Sequence, residues 1–185
     1  MKKVLFGAAM LLLSLNCCKL TVEANAGFTL FINNIEPTPI ECVEYSIPEY
    51  SGFKSYMTYK LFHKKSDQYN LQQLAETDEY GFRRLGEYYI VAMGNYFDAQ
   101  IGQRVDLVLD NGEVIKCVIG DEKAEKDTDS TNMFSKNNCL SEFLVDTKHL
   151  ETTVKSRGDV STFPNEQWDS PVTEVIVYEE FLLGD

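Results

Sequence analysis

The residues best equipped for chemistry in this chain are carboxylates, and Asp121 stands out among them. It follows directly on the apolar run Val118-Ile119-Gly120, so its side chain should emerge where a buried strand ends. A carboxyl shielded by apolar neighbours is harder to ionise and can serve as a general acid near neutrality. Glu142 and Asp146 flank the run Phe143-Leu144-Val145, and the two-residue period of a strand puts positions 142, 144 and 146 on one side. The bland alternative is structural, with Asp121 capping a turn and Glu142 solvated at a sheet edge. Other chemistries find little support. The chain has no Gly-x-Ser-x-Gly elbow, no P-loop and no His-Glu-x-x-His pattern. Its two histidines, His63 and His149, lie far apart without clustered ligands and read as ordinary surface or core residues. Asp127, Asp129 and Thr131 begin like a calcium loop, but Asn132 and Asn138 stand where an EF-hand needs its glycine and its bidentate glutamate. An irregular calcium site from Asp121, Asp127 and Asp129 is the weaker reading, and no metal or cofactor is expected.

These carboxylates need strands to hold them. Tyr88–Met93 is a compact apolar run that ends at Gly94, as a buried strand would. Between Arg104 and Asp110 the residues alternate, placing Val105, Leu107 and Leu109 on one face. Asn111-Gly112 follows at once, and a second β-rich run, Glu113–Ile119, comes after it. Asn-Gly between two such runs predicts a hairpin, because both residues tolerate positive φ. Residues 120–138 form a long polar stretch, of the kind that is functional or disordered in a compact domain. Ser141–Val145 reads as a strand, Thr147–Val154 as a turn of helix and Thr173–Tyr178 as a last strand. Strands in runs without regular βαβ alternation predict an all-β or β-rich α+β fold. Ahead of them, residues 27–76 read as an N-terminal extension, with proline-rich extended chain first and one or two short helices within Phe53–Thr77.

The first 26 residues have the layout of a cleavable secretory signal peptide. Lys2 and Lys3 are the basic end, Val4–Leu15 the apolar run, and Ala24-Asn25-Ala26 the small-x-small cleavage pattern. The apolar run falls short of the ~20 residues a spanning helix needs. A secreted, extracellular chain beginning at Gly27 is therefore expected, with no membrane contact once the leader is gone. The whole chain has 17 basic and 29 acidic residues, a net charge of −12. Lys2, Lys3, Lys19 and Glu23 leave with the leader, so the mature charge is near −14. Such acidity disfavours nucleic acid and anionic membrane surfaces as partners. Cys42, Cys117 and Cys139 stay in the mature chain. Either Cys117 and Cys139 bridge the polar loop between them, for about 3 kcal/mol in the entropic account, or all three remain thiols.

The order of segments Tyr89–Met93, Ile101–Val105, the Asn111-Gly112 hairpin running to Asp121, Ser141–Val145 and Val175–Tyr178 resembles a double-psi β-barrel. The nearest likeness is to the three-aspartate domain and rare-lipoprotein-A-like group of bacterial cell walls. Within that group, residues 120–132 resemble uncharacterised exported proteins of Gram-positive bacteria. The resemblance implies a six-stranded barrel over residues 77–185, with peptidoglycan or another cell-wall glycan as partner. It matches Asp121 to the central aspartate and Glu142 to the last one, with Ala92–Asn95 standing where the group has its first. It implies lytic-transglycosylase-like cleavage with Asp121 and Glu142 as catalytic residues, and Thr77, Asp78, Asp127 and Asp129 as substrate-binding ones. A non-catalytic wall-binding or assembly module is the alternative, with the acidic 120–138 loop as its contact surface.

Overall fold

The computed structural model describes residues 40–48 and 53–182. The expected leader lies outside them. The described strands are β1 (Cys42–Ser46), β2 (Lys54–Thr58), β3 (Glu76–Thr77), β4 (Arg83–Leu85), β5 (Tyr88–Gly94), β6 (Gln103–Leu109), β7 (Val114–Lys123), β8 (Ser141–Val145) and β9 (Val172–Phe181). Two short helices accompany them, α1 (Asp67–Leu74) and α2 (Thr152–Arg157). The fold is β-rich. All nine strands join one mixed sheet whose main path runs β1-β9-β6-β7-β5-β4-β3, with β8 also on β5 and β2 on β8.

This arrangement corrects the expected barrel. The sheet has nine strands in place of six, and its pairings leave it open, with no ladder joining β1 to β2 or β3. β1 and β2, from the segment read as an extension, pair with strands of the same sheet. β1 runs antiparallel to β9, from Cys42 against Tyr178 to Ser46 against Glu174. β2 runs parallel to β8, from Lys54 against Ser141 to Thr58 against Val145. Residues 76 and 77 both belong to β3, within the compact unit Ile40–Asp185.

Local sequence explains the best-defined pieces. β6 and β7 form the expected hairpin, from Arg104 against Val118 to Val108 against Val114. Its turn differs in kind from the expected one. Gly112 alone takes positive φ, at 88°, and its N–H donates to the Leu109 carbonyl at 2.9 Å, while the Leu109 N–H donates to Glu113 at 2.8 Å. That is a type I turn followed by a left-handed glycine, the three-residue hairpin alternative to a two-residue primed turn. The second helix starts at Thr152, later than the expected Thr147, after the Glu151 carboxylate accepts from the Val154 N–H at 2.9 Å.

The sheet has two apolar faces. On one, Val91, Met93, Val105, Leu107, Cys117, Ile119 and Phe143 pack with Phe82, Phe163 and Trp168. The rings meet mostly edge to face, Tyr89 and Trp168 with centroids 5.0 Å apart. Lys54 is wholly buried beside this cluster, and its ammonium donates to the carbonyls of Trp168 at 2.8 Å and Ser170 at 2.9 Å. The other face is smaller and is covered by α1, whose Leu71 packs on Ile90, Ala92, Val118 and Leu144. Burying Leu71 stabilises this docking by roughly 1.5–3 kcal/mol. Ser66 caps α1 by accepting from the Tyr69 N–H at 3.2 Å. At the other end, buried Arg83 donates to the carbonyls of Gln72 and Ala75, satisfying groups that a helix terminus leaves unpaired.

Candidate functional site

Asp121 owes its position to a β-bulge. β5 and β7 run parallel with Val91 against Ile119, but the next β5 residue, Ala92, lies against Asp121, so Gly120 is an extra residue. Along β7, Ile115, Cys117 and Ile119 face the large core while Val118 faces the small one. Strict alternation would send Asp121 after Ile119 into the large core. The extra residue reverses the parity and turns Asp121 to the α1 side. Only glycine fits at position 120, because a Cβ there would run into Cγ2 of Ile90.

On the other side of β5, Ala92 is also paired with Glu142 of β8. The two carboxylates thus flank one buried alanine, two strand spacings apart, or roughly 10 Å between Cα atoms. Gln68 of α1 donates to Oδ1 of Asp121 at 3.1 Å. Burial raises the Asp121 pKa and the charge of Glu142 adds to the rise, while Gln68, the Glu122 N–H and Lys123 pull the other way. Glu142 has a partner of its own, Lys123 Nζ at 2.7 Å from Oε1, and both side chains are largely buried. The two acids are therefore inequivalent: one is shielded and bonded to a neutral amide, the other is tied to an ammonium.

Both line one open groove of about 580 Å³, together with Met57, Lys123, Lys126, Asp127, Lys136 and Asn137. Asp127 thus lines the same groove as Asp121 and Glu142. The other expected binding residues are elsewhere. Asp129 accepts from the backbone N–H groups of Thr131, Met133 and Phe134 and from the Thr131 hydroxyl, so it builds the 129–134 turn and lines a different cavity. Thr77 accepts from Arg83 Nη1 at 2.9 Å, and Asp78 accepts from the N–H groups of Tyr80 and Phe82. Those two line a third cavity with Arg84 and Glu87. Asp146, expected on the Glu142 side of its strand, lies past the far end of β8. There it takes Lys60 Nζ at 3.0 Å and faces His149 Nδ1 at 2.9 Å. Burial works against its charge, but His149, Lys60 and the Lys148 N–H prevail and hold its pKa at about 2.

The Cys117–Cys139 bridge is not formed. Cys42, Cys117 and Cys139 are free thiols, the last two buried. Cys117 sits in the large core, and Cys139 Sγ donates to the Ser141 carbonyl at 2.7 Å, which anchors it at the start of β8. Among the described residues no three His, Cys, Asp or Glu side chains cluster as metal ligands would, and no helix is long and apolar enough to cross a membrane.

Sequence reading missed Gln68, Lys123, Lys126 and Lys136. The first comes to the site only because α1 docks over Ala92 and Val118, a contact no local pattern announces. Lys123 carried a readable signal, since it stands two residues beyond Asp121 on the same strand. Fold and site together define a β-rich domain with one open mixed sheet and a groove centred on a shielded carboxyl. Compared with protein families, curated proteins and solved structures, the chain gives no match.

Proposed function

We propose that the protein is secreted and directed to cell-wall glycan, and that its groove cleaves the glycan strand with Asp121 as acid and then base. The convergence of Asp121 and Glu142 on one open groove carries this reading. The export-type leader and the likeness of the strand segments to peptidoglycan-directed proteins supply the substrate class.

The chemistry asks for one carboxyl that is protonated before the reaction. Protonated Asp121 gives its proton to the glycosidic oxygen as the bond from that oxygen to the anomeric carbon breaks. A hydroxyl of the same sugar attacks the anomeric carbon and returns its proton to Asp121. No water is consumed, so the water-activating second carboxylate of an inverting glycosidase is not required. Glu142, paired with Lys123, acts on the electrostatics of Asp121.

The test is to incubate the mature protein and its Asp121→Asn variant with purified peptidoglycan and to analyse the soluble products by mass. Release of anhydro-muropeptides by the first and not by the second is expected, with matching circular dichroism for both. Equal release by both, or none by either, ends the catalytic reading. Retention of the protein on the pelleted wall without release would make the groove a binding module.

A further inference from the structure

On the assumption that the groove is glycan-directed, we infer that it selects a saccharide carrying carboxylate groups, seated by the ammonium groups of Lys126 and Lys136. The groove's floor is accounted for by internal pairs: Glu142 holds Lys123, and Gln68 holds Asp121. The wall is different. It consists of two chain segments tied side by side, with Thr128 bridged to Ser135 and the Lys136 N–H donating to the Asp127 carbonyl at 3.1 Å. This tie places Lys126 and Lys136 on neighbouring arms facing the same space, both exposed. Neither ammonium has a hydrogen bond or ion pair within the described chain. Among the other described lysines, Lys60 pairs with Asp146 and Lys116 with Glu87, while Lys64, Lys65 and Lys148 make no side-chain pair; Lys126 and Lys136 differ from these three in sharing one groove.

The two unpaired cations thus share one wall of the groove in a chain of net charge −12. Asp127 and Glu122 also line the groove, so its charge is mixed and not simply basic. A neutral sugar would leave both ammoniums to water. A carboxylate on the ligand would accept charge-assisted hydrogen bonds from them, roughly twice as strong as neutral ones. The same two contacts would fix where along the groove a glycosidic oxygen meets Asp121.

The experiment compares two tetrasaccharides of equal length by titration calorimetry at low salt. One is the neutral tetramer of N-acetylglucosamine; the other is the hyaluronan tetrasaccharide, in which alternate sugars carry a carboxylate. The protein is the mature chain with Asp121→Asn, which prevents turnover, with and without Lys126→Gln and Lys136→Gln. The acidic probe should bind at least tenfold more tightly than the neutral one. The double lysine substitution should abolish that preference and leave neutral-probe binding unchanged. The preference should also shrink as salt is raised. Equal affinity for both probes, absence of binding by either, or a preference that survives loss of both lysines overturns the inference. Muropeptide release without acid preference would spare the proposed function, and acid preference without release would spare the inference alone.

Discussion

Replacing Gly120 with alanine tests the bulge that aims Asp121. The new methyl would overlap Cγ2 of Ile90, and it would sit 3.6 Å from Leu144 Cδ1, so the free side is already filled. Ile90 is fully buried and β-branched, and its Cγ2 cannot swing aside as the tip of a long side chain could. Overpacking of this kind costs about 1–3 kcal/mol, and the stiffness of the neighbour puts the expected value at about 2–3 kcal/mol. Ile90→Ala alone should cost about 2–4 kcal/mol through the cavity it leaves. In that background the alanine at 120 has room and should cost under about 0.5 kcal/mol, giving a coupling of about 2 kcal/mol. Urea unfolding of the four proteins measures the cycle. A Gly120→Ala penalty that is below about 0.5 kcal/mol in the native background, or equal in both backgrounds, would refute the steric account of the bulge.

Three further outcomes follow from the same structure. Asp121 has a raised pKa when folded, so its contribution to stability is full below the unfolded value of about 3.9 and is lost as pH rises through the folded value; Asp121→Asn should therefore match the native protein near pH 3 in urea midpoint and exceed it at pH 7, and a gap that is constant with pH would contradict this. In the folded mature chain a thiol reagent should label Cys42 alone, since burial pushes the Cys139 thiol up to about 12 and Cys117 well above its usual value, whereas all three should react in urea; fewer than three reactive thiols in urea would reveal a bridge. Lys54→Met should lower stability by about 1–3 kcal/mol by leaving the Trp168 and Ser170 carbonyls without their buried donor, and native-like stability of that variant would show that the ammonium is dispensable.

What could be read from the sequence was what the sequence holds locally. The β6–β7 hairpin announced itself because its strands and turn are contiguous, and β5 because an unbroken apolar run has few other uses. β1 and β2 were passed over since nothing near them in sequence pairs with them: Cys42 meets Tyr178, and Lys54 meets Ser141. Without those two strands the remaining segments suggested a smaller, closed barrel. Asp121 and Glu142 stand out in sequence beside apolar runs, though β7 continues past Asp121 to Lys123, and their shared neighbour Ala92 depends on a parallel and an antiparallel register at once. Asp129, Thr77 and Asp78 line other cavities, and their local sequence does not announce it. A polar residue that caps a turn and one that holds a ligand look alike until the backbone N–H groups around them are placed.

The pairing of β1 with β9 has a consequence for how the chain is made. Its first described strand has no partner until synthesis reaches Glu174, and β2 must wait for Ser141. Contacts of such long sequence separation slow folding, because a large loop must close before any pairing is gained. During synthesis the emerging N-terminal half therefore lacks the strands that would lock it. Under the proposed secreted reading, the delay would keep the chain threadable, able to cross a membrane pore as an extended polymer and close its sheet on the far side.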